Sequence, residues 1–521
     1  MIFKYFSDNQ IYQFLIGAIL LSLSIVFYHF SNKKLSLIFL FIGSLGIGFF
    51  IANTDPFLIL WDEQYHALVA KHMVENPFEP KLYLNPLLDF DFKDWTANGI
   101  WLHKQPLFLW QMALSLKIFG VNELAVRIPS ILLHALATLM IYRIGKITYS
   151  EKIGYYGALF FTVAYFPLEL IVGRYSTDHN DVSFLFYITA SFWCWFEYKN
   201  SGKIFWVFLI GLFSGAAVLV KWLVGLLIYA VWFVTIIFNG KDFWSKRRSY
   251  YPLFTSFIIA FLVFVPWQLF IFYRYPLEAN YEFLYNTKHF FEAVENHGGN
   301  YLFHFNAVKD LYGRGAAIPL IYLAGIFTYV KNVKSKEYRV AILSAIIIVY
   351  TFYSLASTKM ISFCIIISPF AFLGLASLVD SVFTLLKTCI NLKKTELFLK
   401  TIAIMFVCFF LFNFSKIENN HTMRKPNDNF DRRGELAEMK FINGLKKILG
   451  SEKYALFNFH LTLNGHIPVM FYTDYIAYTF IPTEMQLKKI ALSKYKIAVV
   501  DDGYLPNYVL DNQNILKIRP D

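Results

Sequence analysis

The sequence predicts a mainly α, polytopic membrane protein, with about twelve transmembrane helices and then a small extracytoplasmic α/β domain. Three observations predict it. Of the 521 residues, 57% are hydrophobic and only 16% charged, too apolar for a soluble globular chain. The apolar residues gather in runs of about 18, the length a helix needs to cross a bilayer, and lipid requires a backbone that satisfies its own hydrogen bonds. The Lys and Arg residues, finally, alternate from loop to loop along the chain.

Taken in order, 11–30 and 35–51 are the first two runs, joined by Ser31-Asn32-Lys33-Lys34. The first reads as an uncleaved anchor, because no small-residue cleavage site follows it and a second run comes at once. The polar stretch 52–106 is next. Leu107–Phe119 is apolar but short, which favours an interfacial or re-entrant helix. Further spans are expected at 121–142, 154–172, 182–196, 204–219, 223–238 and 253–272. A second polar stretch, 273–315, separates these from 316–330, 340–355, 361–385 and 397–412. The domain reading is therefore 1–414 for the membrane body, with outer loops at about 52–106 and 273–315, and 415–521 for the tail domain. In the tail, 434–442 and 482–493 have helical spacing, while 454–460, 469–475 and 496–500 read as short strands.

Orientation follows from the short loops. Lys33 and Lys34; Arg143, Lys146 and Lys152; Lys199 and Lys203; Lys241, Lys246, Arg247 and Arg248; Lys331, Lys334, Lys336 and Arg339; and Lys387, Lys393 and Lys394 fall on alternate loops, which the short-loop rule makes cytoplasmic. The intervening short loops hold only Arg174, Lys221 and Lys359. The stretch around Asp62, the Arg174 loop, 273–315 and the tail all land outside. The formal charge of +12 thus reads as membrane orientation and not as nucleic-acid binding. The four cysteines sit in or beside apolar runs, where a buried, unpaired thiol is the ordinary state.

The residues suited to chemistry lie on that outer side. Asp62-Glu63 follows the second span and opens a helix, between Trp61 and Tyr65. Carboxylates there complement the helix dipole, and one of them is equally suited to act as a general base on a hydroxyl. Asp178, in Arg174-Tyr175-Ser176-Thr177-Asp178-His179-Asn180-Asp181, either caps the next helix, as Asp181 does as well, or serves as a second acid. Arg174 is a fixed guanidinium suited to phosphate. Lys104, after His103 and before Gln105-Pro106, opens the re-entrant helix where backbone N–H groups bind anions. Lys221 and Lys359 are lone cations at outer helix ends, where snorkelling to headgroups is the ordinary role. The His and Glu residues of 273–315 match no tight metal-ligand spacing and read as a partly helical lid; His134 reads as a packing histidine. Metal dependence stays open, and no cofactor is certain. No phosphate-binding Gly-rich loop, CxxC pair or HExxH is present.

The order of these motifs carries a resemblance. Asp62-Glu63 with Tyr65, a Lys-x-Pro at Lys104, Arg127-Ile128-Pro129, Arg174-x-x-x-Asp178, Lys221, and Ser357-Thr358-Lys359 together resemble the GT-C glycosyltransferases of the protein-O-mannosyltransferase and aminoarabinose-transferase type. The likeness spans roughly 50–385 in motif order. Two positions depart from it: Gln105 stands where a second proline is common, and Phe363 where an aromatic hydroxyl is usual. The resemblance implies an inverting glycosyltransferase that takes a sugar from a polyprenyl-phosphate donor and gives it to an extracytoplasmic lipid, glycan or protein. It implies Asp62, Glu63 and Asp178 as catalytic residues, and Lys104, Arg174, Lys221, Lys359, Tyr65 and His103 as the lipid-phosphate and substrate set. The partners implied are the bilayer, the donor lipid and the acceptor, with no nucleic acid, at the plasma (inner) membrane. A transporter is the rival from another class, and an inactive lipid-binding relative a third reading. Transporters carry ionisable groups near the midplane, whereas here they gather at one face. Solute flux untouched by Asp62→Ala marks the transporter, and unaltered envelope glycans in Asp62→Asn mark the inactive relative.

Overall fold

The computed structural model describes residues 4–238, 247–389, 396–423, 430–460 and 462–519. It is mainly helical, with a small parallel sheet near the C-terminus. The first helix, Asp8–His29, starts at a capping box: the Gln10 amide donates to Ser7 Oγ at 3.3 Å and the Ser7 amide to Gln10 Oε1 at 2.9 Å. It forms a hairpin with Lys33–Ala52, and glycine sets how closely the two approach. A Cβ on Gly46 would lie 2.9 Å from the Gly17 Cα, so small residues let the backbones meet where lipid supplies no hydrophobic drive.

Eight helices of the described residues are long and apolar enough to cross a membrane, or nine when Glu151–Thr162 and Tyr165–Ile171, bent by 51°, count as one span. By that measure the expected number of twelve is not confirmed among the described residues. The stretches expected at 204–219 and 223–238 qualify as one 35-residue run, Ile204–Phe238. The helix over the expected 316–330 span, Ile318–Asn332, has only 15 residues. The helix over 182–196, Asp178–Ser201, carries too many charged and polar side chains to qualify. Leu107–Phe119 is a 13-residue apolar helix, as its length implied. Lys241, Lys246, Lys393 and Lys394 lie outside the described residues.

Contacts group the chain into two compact units that cut across the expected 414/415 boundary. One comprises Met1–Ala52, Ser130–Ile171 and Thr177–Ile417; the other comprises Asn53–Pro129, Val172–Ser176 and Glu418–Asp521. The second unit has one hydrophobic core, in which Tyr65, Trp101 and Phe108 share a cluster with Phe457, Phe471 and Val499. The first polar stretch thus folds with the tail.

The sheet of this unit has strands β1 (Tyr454–Phe457), β2 (Ile476–Ala477), β3 (Lys496–Val500) and β4 (Ile515–Ile518) in the order β2-β1-β3-β4, all parallel. β1 is buried at every position, the continuous apolar run typical of a parallel strand covered on both faces. The expected strand over 469–475 is instead largely a helix, His466–Tyr472, with β2 just beyond it. A short apolar run gives no period that separates a buried strand from a buried helix. Tertiary contact decides it here: the Lys71 ammonium donates to the carbonyls of Met470 at 2.8 Å and Thr473 at 2.6 Å, closing the helix C-terminus with a cation. β4 was not foreseen.

Candidate functional site

The candidate residues form two clusters, one in each unit. In the second unit, Asp62 and Glu63 occupy the first turn of the helix Asp62–Met73. The residue before them, Trp61, has φ 75° and ψ −121°. A bulky side chain at positive φ costs about 1–3 kcal/mol and persists only where its surroundings hold it.

The hold comes from Glu63. Its carboxylate receives Arg127 Nε at 2.8 Å, Arg127 Nη2 at 3.0 Å and the Ile59 amide at 2.5 Å. Arg127 is itself fully buried and spends its other donors on the carbonyls of Asp55, at 2.8 Å, and Phe57, at 2.7 Å. Gly173 closes the back of the pair. It has φ 79°, and a Cβ there would lie 2.7 Å from the Glu63 carboxyl carbon, so no other residue fits. Glu63 is consumed as a brace between 55–59 and the helix Glu123–Thr148, while its neighbour Asp62 stays partly exposed. A second buried cluster stands beside this segment, where Asp55 is paired with Arg432 and with His421 Nδ1 at 2.5 Å.

Trp95 ties the acid end to the cation. Its ring stacks on His103 at 4.6 Å between centroids, meets Tyr65 edge-on at 5.0 Å and reaches Trp61 at 6.5 Å. Lys104 Nζ lies 3.1 Å from His103 Nε2, so the ring accepts there and carries its proton on Nδ1. Burial pushes the Tyr65 hydroxyl well above its ordinary range, with Asp94 and Asp62 adding to the shift, so it stays protonated. Arg174 is partly exposed, and it makes no hydrogen bond or ion pair with any described residue.

In the first unit the helix Asp178–Ser201 starts from two residues at positive φ, Thr177 at 71° and Asp178 at 20°. Asp178 is fully buried. Asp181, one turn on, is the hub: one carboxylate oxygen pairs with Lys221 and the other accepts from Thr177 Oγ1, which also meets Ser362 Oγ at 3.0 Å. The Lys221 ammonium lies 4.7 Å from the centre of the Phe363 ring, and Trp222 after it has φ 57°. Each of the acids Asp62 and Asp178 and the cation Lys221 thus adjoins or occupies a strained backbone position.

Lys359 is 4% exposed, and its three ammonium protons meet the carbonyls of Tyr353, at 2.8 Å, Ser354, at 2.7 Å, and Ala356. It therefore caps the end of the helix Lys336–Leu355. Burial lowers its affinity for protons, and pushes neighbouring His304 down to about 4 with help from the lysine charge. Ser357 and Thr358 bind the polar stretch 273–315: their amides donate to the carbonyls of Phe290 and His289, and Thr358 Oγ1 accepts from the Val294 amide at 3.2 Å. That stretch is partly helical, at Pro276–Phe291 and Phe303–Tyr312. Among the described residues no three His, Cys, Asp or Glu side chains are grouped to hold a metal ion. His134 packs on Phe161 at 4.6 Å.

Sequence reasoning missed three residues that hold the candidate site together. Arg127 was visible only as a motif letter, Asp181 as a second capping candidate, and Trp95 not at all. The available signal was weak: a lone Arg at the foot of an apolar run needs a buried carboxylate.

Residues 103–269 match the family model described as dolichyl-phosphate-mannose-protein mannosyltransferase. An uncharacterized protein of Aquifex aeolicus (strain VF5) is 27% identical over 307 residues, covering 53% of this chain; the chain spans 55% of that relative's length. ArnT from Cupriavidus metallidurans, solved bound to undecaprenyl phosphate, superimposes with a TM-score of 0.61 at 13% identity, covering 88% of each chain. The archaeal oligosaccharyltransferase AglB from Archaeoglobus fulgidus, solved with an inhibitory peptide and a dolichol-phosphate, gives 0.52 at 14% identity over 85% of this chain and 64% of that one.

Proposed function

We propose that this chain, whose fold is that of the GT-C glycosyltransferases, is an inverting membrane enzyme. It moves a hexose or pentose from a polyprenyl-phosphate donor to an extracytoplasmic acceptor. The division of labour at Trp61–Glu63 carries this reading. One carboxylate is buried and held by an arginine and a backbone amide, and its neighbour is partly exposed in the first turn of the helix.

In this reaction Asp62 takes the proton of an acceptor hydroxyl as its oxygen bonds to the anomeric carbon. On the opposite face the bond from that carbon to the phosphate oxygen breaks, and its electron pair leaves with the polyprenyl phosphate. The leaving group is already a phosphate, so the protein has mainly to position the reactants and hold negative charge. Arg174 and Lys104 are assigned to that phosphate. Among the described residues none takes a hydrogen bond or ion pair from Arg174, and Lys104 has donors beyond the one spent on His103. Glu63 is assigned to positioning through Arg127, and His103 and Tyr65 to placing the Lys104 and Asp62 ends around Trp95.

Motif order assigns Asp178 the part of second acid. Lys359 has its three protons engaged by carbonyls, which favours a supporting role over direct phosphate contact, whereas Lys221 pairs with Asp181 and keeps further donors. The ligands in the ArnT and AglB structures, undecaprenyl phosphate and dolichol-phosphate, support the donor class. The short-loop charges support an active face outside the plasma membrane.

The test uses the full chain in detergent with a polyprenyl-phosphate sugar. Asp62→Asn is expected to abolish transfer while polyprenyl-phosphate binding persists. Retained turnover in that variant would falsify the base assignment.

A further inference from the structure

We propose that a cavity of about 460 Å³ receives a non-anionic sugar ring of the acceptor; this rests on the glycosyltransferase reading above. The cavity lies wholly within the unit that carries Asp62. Its walls come from the 52–106 stretch and the tail: Tyr65, Tyr83, Asp91, Asp94, Asn464 and Tyr478.

Three features point to a sugar. The first is aromatic surface. Phe90 and Phe480, both exposed, line the cavity beside the buried Tyr83–Tyr478 stack and offer it apolar ring surface of the kind that packs against the C–H side of a pyranose. The second is an unmet donor. Asn464 is only 6% exposed, and its side-chain nitrogen has no hydrogen-bond partner among the described residues. Leaving a buried amide unpaired costs about 1–3 kcal/mol, and a ligand hydroxyl would answer it. The third is charge. Asp91 and Asp94 each accept from a backbone amide two residues on, of Lys93 at 2.9 Å and Thr96 at 3.0 Å, which accounts for one oxygen of each. A carboxylate accepts several hydrogen bonds, so both retain capacity for sugar hydroxyls, and both repel phosphate or carboxylate groups.

The cavity also has the right address. Tyr65 is three residues beyond Asp62 on one helix, hence on the same face, and it forms part of the wall. A ring seated there brings the acceptor close to the proposed base.

Saturation-transfer NMR of the full chain in detergent tests this. The probes are methyl glucoside, methyl mannoside, methyl galactoside and N-acetylglucosamine, with glucuronate and glucose 6-phosphate as anionic competitors and undecaprenyl phosphate as the donor-side ligand. At least one neutral glycoside is expected to bind, with affinity falling tenfold or more in Asn464→Leu and in Asp94→Asn, while the anionic sugars fail to compete. Undecaprenyl-phosphate binding is expected to be unchanged in both variants, which also reports that they fold. No glycoside binding, binding indifferent to both substitutions, or equal competition by the anionic sugars overturns the cavity assignment and leaves the glycosyltransferase reading standing. Failure of the unaltered chain to bind undecaprenyl phosphate brings down both.

Discussion

Two adjacent acids at the head of one helix have opposite fates. Glu63 is buried and paired, and Asp62 is partly exposed. Removing one partner of a buried ion pair strands the other charge, at about 3–5 kcal/mol. Glu63→Gln is therefore expected to lower the thermal midpoint sharply, and Glu63→Gln with Arg127→Leu to recover part of the loss; equal loss in the two proteins refutes the pairing. Asp62→Asn is expected to leave the midpoint nearly unchanged while sugar transfer falls by about 10²–10⁴-fold, the usual share of a general base. Arg174→Ala and Lys104→Ala are each expected to weaken undecaprenyl-phosphate binding about tenfold, or roughly 1.4 kcal/mol, measured by titration with the lipid. Unaltered affinity removes that residue from the phosphate set. The Asp62-Glu63 pair was legible in the sequence because local features mark it: a helix start, flanking aromatics and a polar stretch. Which acid does what was not legible, because the deciding partner, Arg127, lies 64 residues away.

At the level of elements, tertiary contacts outweighed local pattern in the tail. The helix His466–Tyr472 is closed by Lys71 from far upstream, so Lys71→Met is expected to destabilise the unit by about 1–3 kcal/mol, the loss of charge-assisted hydrogen bonds. Denaturant unfolding followed by fluorescence checks it.

The helix Phe430–Leu449 carries a pH signature as well. Burial raises the Glu438 carboxyl from 4.5 to about 7, against the opposing pull of hydrogen bonds from Thr462. Between those values the folded chain holds a proton the unfolded chain has released. This contribution is full below pH 4.5 and is lost as pH rises through about 7. Buried His72 and His466, both lowered to about 4, act in the other direction, since the unfolded rings protonate near 6.5 and draw the chain open as pH falls. Glu438→Gln is expected to flatten the fall in stability between pH 5 and 8 and to leave the acid limb intact. An unchanged slope counts against the shift.

For the whole molecule, the short-loop charges set an orientation that cysteine labelling can check. A single Cys at Glu79 or Asn296 is expected to react with an impermeant thiol reagent applied from outside intact cells, and one at Lys152 or Lys203 only after permeabilisation. The reverse pattern overturns the outward-facing site. By itself the sequence determined the class of molecule: membrane helices, their alternating loop charges, the candidate acids and cations, and the order of motifs that matched a known fold. These are local or additive properties, since hydrophobic length and loop charge act wherever they occur in the chain. Only the tertiary structure decided that the first polar stretch shares a core with the tail, that Glu63 is buried as a brace while Asp62 is partly exposed, that Lys221 pairs with Asp181 and that Lys359 caps a helix end. Those outcomes depend on which distant residue fills each side chain's surroundings, and burial makes that partner, and not the local pattern, the larger energy.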